Sequence, residues 1–267
     1  MNHLDPALQH ALARVVRTLL SARRGYCVIG ALVPRLLMPV PPAQRTRDVD
    51  LVVEAASVED VEALTRTLQF NGYTAVAPPI RFRDESGIQI DVIPFGEALA
   101  PNERLVLPGE TLLRTEGLRQ ALDHPVRVDL EAGLQIAVAP LPLYAMLKLS
   151  AYADRHAAKD LNGFLHCARH YEDLETGERR YGLEHDGALV PLEYGGALLL
   201  GLDGVPFQSR GLRDKLRGVL SSLEDEDAPA LAEAAHDVGH LPTDQRWRTA
   251  AHQLLQWYRV GCIDRMR

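Results

Sequence analysis

Residues 45–53 read RTRDVDLVV: two arginines, two aspartates separated by one residue, and a run of aliphatic side chains. Successive side chains point to opposite faces of a strand, so Asp48 and Asp50 share one face and the aliphatic residues between and after them supply an apolar face. A solvated strand end is the simplest interpretation, because this aspartate pattern is common. The alternative is a metal site, since two carboxylates so close together repel each other unless a pKa rises or a cation binds.

A third carboxylate follows in residues 88–95, IQIDVIPF, where Asp91 interrupts an apolar strand and shares a face with Gln89. The preceding residues 80–84, IRFRD, together with the turn DESG predict an antiparallel hairpin. If this hairpin lies beside the strand of residues 49–53, three carboxylates meet on the sheet. Such a set of oxygen ligands suits a hard divalent cation such as Mg²⁺.

The pattern of hydrophobic residues predicts an α+β fold with two parts. Residues 1–140 alternate short strands and helices and predict a short mixed β-sheet core with flanking helices. Residues 141–267 predict a mostly α-helical C-terminal portion, beginning with one long helix over 141–171. Further helices are predicted at 210–223 and 245–260, whereas the glycine-broken stretch 195–204 is left unassigned.

Composition restricts the function classes. The 267 residues carry 29 Lys and Arg against 36 Asp and Glu, a net charge of −7, which argues against general binding of polyanions. The three cysteines, Cys27, Cys167 and Cys262, lie far apart in no metal-ligand spacing, which favours a reducing cytoplasm. No apolar run approaches the length of a membrane span, and the N-terminus lacks the continuous apolar core of a signal peptide.

The order of the parts resembles the nucleotidyltransferase superfamily related to DNA polymerase β. A strand ends in the turn Gly30-Ala31, and a helix, an arginine-bearing loop, the Asp-x-Asp strand and a later single Asp follow. Members carry a Gly-Gly or Gly-Ser turn, so Ala31 is a departure that removes a hydroxyl near the triphosphate. The resemblance implies that Asp48, Asp50 and Asp91 are catalytic and hold two Mg²⁺ ions, with Mn²⁺ as the alternative, and that the turn binds an NTP.

A basic stripe in the second half extends the resemblance. Lys148, Arg155 and Lys159 are spaced by seven and four residues, which predicts one face of a single helix, with Asp160 one position further round. This resembles the AbiEii and MenT group of bacterial toxin-type nucleotidyltransferases, which carry a lysine, an arginine and a Lys-Asp or Arg-Asp pair on the helix after the sheet. Lys148 and Asp160 are then catalytic, and the three basic residues bind nucleotide. A solvated helix face with an Asp-Arg neighbour pair is the other interpretation, so that Asp160 either orients Lys148 or Arg155 or simply pairs on the surface.

The loop before the Asp-x-Asp strand carries two further candidates. The same group favours a basic residue followed by Thr or Ser, as in Arg45-Thr46. Arg45 and Arg47 are accordingly predicted to bind nucleotide phosphates. The resemblance covers about residues 25–165, and the rest of the chain resembles no family that we can name.

The resemblance implies a metal-dependent nucleotidyltransferase that moves an NMP from an NTP to an acceptor hydroxyl. Toxin-type relatives modify RNA, notably the tRNA 3′ end, or proteins, and imply a cognate antitoxin as partner. Because the chain is acidic, a cationic small molecule is the alternative acceptor, as in relatives that adenylylate aminoglycosides. A third hypothesis is a non-catalytic partner protein that binds nucleotide or metal, since the Gly30-Ala31 turn departs from the family pattern.

Two histidine pairs have a spacing that can bind zinc. His166 and His170, and likewise His236 and His240, lie four residues apart. Neither pair is accompanied by the glutamate of the His-Glu-x-x-His pattern, so a chance occurrence on amphipathic helices is the favoured interpretation.

Overall fold

The structure is a computed structural model that describes residues 4–77, 80–106, 112–172, 178–241 and 243–264. The helices of the described residues are α1 (Pro6–Ser21), α2 (Leu32–Leu37), α3 (Val58–Phe70), α4 (Leu118–Asp123), α5 (Leu141–Arg155), α6 (Ala158–His170), α7 (Leu192–Gly204), α8 (Arg210–Ser222), α9 (Pro229–Asp237) and α10 (Gln245–Cys262). The strands are β1 (Tyr26–Ile29), β2 (Asp48–Glu54), β3 (Thr74–Ala77), β4 (Arg81–Arg83), β5 (Gln89–Phe95), β6 (Arg104–Val106), β7 (Leu112–Arg114), β8 (Val126–Glu131), β9 (Leu134–Val138), β10 (Glu184–His185) and β11 (Ala188–Leu189). The predicted fold class, a mixed sheet with flanking helices followed by a helical portion, is confirmed.

The chain divides into two compact units. The first consists of Met1–Leu37 with Ala43–Pro140, and the second of Met38–Pro42 with Leu141–Arg267. The first unit contains β1 to β9 and the first four helices, and the second contains α5 to α10 with the short β10–β11 hairpin. Among the helices of the described residues, none is both long and apolar enough to cross a bilayer.

Seven strands of the first unit form one sheet in the order β3-β4-β5-β2-β1-β9-β8. The sheet is mixed, because β2 runs antiparallel to β1 but parallel to β5, and β1 runs parallel to β9. The predicted β4–β5 hairpin is an antiparallel pair of this sheet, and so is the β8–β9 hairpin. The central strand β2 is fully buried at Val49, Leu51 and Val53, which places one face of β2 in the core.

Helix α3 follows β2, and residues that favour helix caps and turns lie at both of its ends. The Ser57 hydroxyl accepts a hydrogen bond from the Asp60 amide at 3.3 Å, as an N-cap residue does. The Asp60 carboxylate accepts from the Ala56 amide at 2.9 Å, so the return contact of the cap lies one residue earlier than in a standard capping box. Asn71 caps the C-terminus, and Gly72 with φ +86° allows the chain to turn away.

The prediction of a single helix over residues 141–171 is wrong. Helix α5 ends at Arg155 and α6 begins at Ala158. His156 adopts φ +49° and Ala157 is extended, and two such residues cannot continue an α-helix. No glycine or proline marks this break, so propensity and periodicity give no sign of it.

The break changes the predicted basic stripe. Lys148 and Arg155 lie on α5, whereas Lys159 is an exposed residue of α6. The three residues therefore do not share one face of one helix, because the chain changes direction between the second and the third.

The glycine-rich stretch 195–204, which the sequence left unassigned, forms most of helix α7. A Cβ atom on Gly201 would lie 2.5 Å from the Tyr258 carbonyl oxygen of α10, and one on Gly261 would lie 2.3 Å from the Leu198 carbonyl oxygen of α7. Both distances are too short for any side chain. The glycines therefore let the two helix backbones approach closely, and this packing outweighs their low helix propensity.

Candidate active site

Three carboxylates lie on one face of neighbouring strands in the first unit. Asp50 of β2 is the direct partner of Asp91 of the parallel strand β5, and Asp48 is the partner of Gln89. Partnered residues of adjacent strands project to the same side of a sheet, and Asp48 and Asp50 are one pleat repeat apart. All three aspartates are half-buried. The hairpin thus lies beside β2, as the meeting of three carboxylates requires, and we call Asp48, Asp50 and Asp91 the acidic face.

The turn after β1 is shaped around the acidic face. Ile29, the last residue of β1, is the partner of Asp50, and Gly30 follows with φ +69°. A Cβ atom on Gly30 would lie only 2.0 Å from the Oδ2 atom of Asp50. The carboxylate of Asp50 therefore occupies the space that a side chain at position 30 would need. Gly30 is required both by its backbone angle and by this contact, whereas Ala31 is half-buried just before α2.

Arg81 of β4 was not among the residues singled out from the sequence. It lies directly opposite Asp91 in the antiparallel β4–β5 pair. Its Nε donates to Asp91 Oδ1 at 2.9 Å, and its Nη2 donates to Asp91 Oδ2 at 2.7 Å. The hydrogen bond to Asp91 raises the pKa of Arg81, and the charges of all three aspartates add to this increase against the opposing effect of burial. A cation thus binds Asp91 and lies near enough to Asp48 and Asp50 for their charges to act on it.

The pattern RFR at 81–83 is the signal that would have pointed to Arg81. With Phe82 fully buried, the arginines on either side of it project to the opposite face of the strand. That face is the one that carries Asp91 on the paired strand. The hairpin is recognisable from its turn residues, but the pairing of Arg81 with Asp91 depends on the register of the two strands.

Polar neighbours orient two of the aspartates. The Thr46 hydroxyl donates a hydrogen bond to Asp48, and the Gln89 side-chain amide donates to Asp91 Oδ2 at 3.1 Å. Arg45 and Arg47 are exposed in the loop before β2. The loop thus carries two solvent-accessible positive charges close in sequence to Asp48.

The acidic face has carboxylates of the kind that bind divalent cations, but in this structure the three side chains do not converge on one point. Within the described residues, no three His, Cys, Asp or Glu side chains are grouped closely enough to hold a metal ion. Both oxygens of Asp91 are bonded to Arg81 instead. Three carboxylates on neighbouring strand positions nevertheless form a donor set that Mg²⁺ prefers. The assignment of Asp48, Asp50 and Asp91 to a metal site stays a prediction.

The remaining predicted residues lie in the second unit. Asp160, in the first turn of α6, is fully buried and accepts hydrogen bonds from Lys148 Nζ at 3.0 Å and from Arg155 Nη2 at 2.7 Å. The interpretation of Asp160 as one half of a surface pair is therefore wrong. The assignment of Lys148, Arg155, Lys159 and Asp160 to nucleotide binding or catalysis stays a prediction.

The buried ion pair gives Asp160 an effect on stability that depends on pH. Burial by itself raises the pKa of Asp160, but hydrogen bonds and charges from Arg155 and Lys148 outweigh burial and hold this pKa below its usual value. The folded state therefore keeps the carboxylate ionised to lower pH than the unfolded chain does. The resulting stabilisation is complete above the unfolded pKa of about 4 and is lost as the pH falls through the folded pKa.

We expect Asp160→Asn to lower the free energy of unfolding at pH 7 by about 3 kcal/mol, because it leaves two cations without their buried anion. The variant should also lose less stability than the parent chain between pH 5 and pH 3. Urea unfolding at a series of pH values measures both effects. The control is Asp154→Asn, which removes a more exposed partner of Lys215 and should cost less than about 1 kcal/mol. An identical acid dependence in Asp160→Asn and the parent chain would contradict the assignment.

Side chains of both histidine pairs contact other groups of the protein. The rings of His166 and His170 lie 4.7 Å apart, and His166 Nε2 is 2.9 Å from the Val40 carbonyl oxygen. His240 is paired with Asp244 at 3.0 Å. In the part of the chain that the structure describes, neither pair has the additional ligands that a zinc site needs.

Comparison with known proteins gives remote structural likenesses. No protein-family model and no curated protein matches the chain. An antigenic nucleotidyltransferase-like protein from Paracoccidioides brasiliensis aligns with a TM-score of 0.48 and 16% identity, over 89% of this chain and 95% of its own. The Elizabethkingia meningoseptica CdnE cyclic dinucleotide synthase, with GTP and Apcpp, aligns with a TM-score of 0.31 and 14% identity, over 94% of this chain and 90% of its own.

A CCA-adding enzyme with CTP aligns with a TM-score of 0.28 and 15% identity, over 98% of this chain and 66% of its own. The three structures are thus a nucleotidyltransferase-like protein, a cyclic dinucleotide synthase and a CCA-adding enzyme. At such TM-scores the likeness is remote, and the functional assignment rests on the acidic face itself.

Proposed function

We propose that the chain is a metal-dependent nucleotidyltransferase that moves an NMP from an NTP to an acceptor hydroxyl. One observation carries the proposal: Asp50 and Asp91 are direct partners on adjacent strands, with Asp48 on the same face. A sheet gains nothing in stability from like charges placed side by side, whereas a cation-dependent reaction needs them there.

In this reaction the acceptor oxygen forms a bond to the α-phosphorus of the NTP. The bond from that phosphorus to the bridging oxygen breaks, pyrophosphate leaves, and the hydroxyl proton passes to solvent. Divalent cations held by Asp48, Asp50 and Asp91 would neutralise phosphate charge and lower the pKa of the acceptor hydroxyl. The exposed Arg45 and Arg47 attract the anionic nucleotide.

The Gly30 turn supports the same assignment. Because position 30 carries no side chain, the backbone of the turn lies directly against the Asp50 carboxylate. A nucleotide bound at the acidic face would meet backbone there rather than a side chain. The loss of a serine hydroxyl at Ala31 weakens the triphosphate contacts that relatives have, but it leaves the three carboxylates in place.

The finer parts of the proposal come from the sequence resemblance. We propose an AbiEii- or MenT-like enzyme that acts on RNA, such as the tRNA 3′ end, or on protein, with a cognate antitoxin as partner. Lys148, Arg155, Lys159 and Asp160 are its predicted further site residues. A cytoplasmic location fits three cysteines that are unpaired and buried. A cationic, aminoglycoside-like acceptor is the alternative that the net charge of −7 favours.

The test is incubation of the protein with Mg²⁺ and each α-labelled NTP in turn, with total RNA, protein or an aminoglycoside as acceptor. We expect label transfer and pyrophosphate release with at least one acceptor, and complete loss of both after chelation with EDTA. Restoration by added Mg²⁺ or Mn²⁺ is the control for damage by the chelator. Nucleotide binding without turnover on any acceptor would instead support a non-catalytic binding protein.

A further inference from the structure

We propose that Arg81 is the resident cation of the acidic face: its guanidinium holds Asp91 in place of a divalent ion and competes with that ion for the carboxylate. This inference rests on the proposed function, because it concerns the same carboxylates. It assigns a positioning residue that neither the aspartate motif nor the basic stripe of the sequence contains.

The forked guanidinium of Arg81 binds both carboxylate oxygens of Asp91. Arg81 and Asp91 are direct cross-strand partners, so their side chains start from neighbouring points on one face of the sheet. Two nitrogen atoms of the guanidinium reach the two carboxylate oxygens, at 2.9 and 2.7 Å. A bidentate pair fixes the orientation of the carboxylate as well as its charge. Both oxygens of Asp91 are therefore taken up by Arg81, and within the described residues Asp91 is not grouped with Asp48 and Asp50 as a set of metal ligands.

The charges explain why a cation is needed there at all. Asp50 lies beside Asp91 on the neighbouring strand, and Asp48 is one pleat repeat away. Without Arg81 the three carboxylates would repel one another on a face that is only partly open to water. The guanidinium lowers this repulsion while no divalent ion is bound. A divalent ion supplies the same compensation, so the two cations exclude each other at Asp91.

The competition has a consequence for the order of binding. A bare divalent ion must displace Arg81 and leave its positive charge close by, which weakens binding of the ion. An ion that arrives with a triphosphate brings anionic oxygens with which the displaced guanidinium can pair. The acidic face should therefore discriminate in favour of the metal–nucleotide complex over the free ion.

The chain offers a matched control on the same strand. Arg83 lies two residues from Arg81 on the same face of β4, and it is likewise exposed. Its cross-strand partner is Gln89, however, and not an aspartate. Removal of Arg83 changes the net charge as much as removal of Arg81 does, but it leaves the Arg81–Asp91 pair intact.

The experiment is titration of Mn²⁺ into the full chain without nucleotide, with free Mn²⁺ followed by electron paramagnetic resonance. We expect Arg81→Gln to bind Mn²⁺ about tenfold more tightly than the parent chain, and Arg83→Gln to change the affinity less than about twofold. Arg81→Lys keeps the charge but loses the fork, so its affinity should fall between those of Arg81→Gln and the parent. It also provides the same test if Arg81→Gln does not fold.

The outcomes separate the inference from the function on which it rests. If the parent chain binds Mn²⁺ and neither Arg81 variant binds it more tightly, the role of Arg81 is wrong and the metal site stands. An equal gain in Arg83→Gln reduces the effect to net charge and overturns the inference as well. If neither the parent chain nor any variant binds Mn²⁺, with or without a non-hydrolysable NTP, the proposed function fails together with the inference.

Discussion

Asp50→Asn should reduce the rate of NMP transfer about 1000-fold, equivalent to about 4 kcal/mol of transition-state stabilisation. The substitution keeps the size and shape of the side chain, so it keeps the close contact with Gly30. What it removes is one of the three negative charges that a cation needs at the acidic face. The loss should therefore appear in the rate and in Mn²⁺ affinity, and little of it in the free energy of unfolding.

Glu54→Gln is the matched control for this prediction. Glu54 ends the same strand as Asp50, projects to the same face and is exposed. It makes the same change of charge two pleat repeats further along β2, and the transfer rate should stay within about twofold of the parent. Pyrophosphate release measures both rates, with circular dichroism as the check on folding. An Asp50→Asn variant that retains a tenth of the parental rate would remove Asp50 from the metal site.

Gly30→Ala should lower the free energy of unfolding by about 3 kcal/mol and abolish detectable transfer. Two costs combine at this position. The left-handed backbone angle disfavours any residue with a Cβ atom by about 1–2 kcal/mol. The new methyl group would also lie 2.0 Å from Asp50 Oδ2, so the carboxylate has to move away from its place beside Asp91.

Gly87→Ala separates the two costs. Gly87, in the β4–β5 turn, has φ +82°, but no atom lies within 4 Å of a Cβ built there. The substitution Gly87→Ala should therefore lower the free energy of unfolding by about 1 kcal/mol, through the backbone angle alone, and leave the transfer rate unchanged. Urea unfolding and pyrophosphate release on both variants give the difference that belongs to the contact with Asp50. Equal effects of the two substitutions on stability and activity would show that the contact has no role.

Much of the sheet in the first unit is predictable from local patterns. Alternation in residues 48–53 and 88–95 identifies which side chains share a face, and the DESG turn identifies the β4–β5 hairpin. The cap at Ser57 and the turn at Gly72 bound α3 because their chemistry is local. These signals depend on a few neighbouring residues, so they can be recognised without tertiary contacts.

The secondary structure that could not be predicted from the sequence lies where packing outweighs the local preference of the residues. Helix α7 forms despite its glycines, because the absence of side chains at Gly201 and Gly261 lets it pack closely against α10. Helices α5 and α6 are separate although no breaker residue lies between them, and the second helix carries Asp160 back to Lys148 and Arg155 on the first. In both cases the deciding contacts join residues that are distant in sequence or on different helices.

Residue spacing alone indicates that Asp48 and Asp50 share a face and that Asp91 interrupts a strand able to lie beside them. Strand periodicity is a property of the backbone, which is why the residues alone suffice for this. Three further facts became visible only in the folded chain: Arg81 binds Asp91, Gly30 makes room for Asp50, and Asp160 is buried between two cations. Those facts depend on strand register and helix packing, which arise from contacts across the fold and not from the spacing of residues along it.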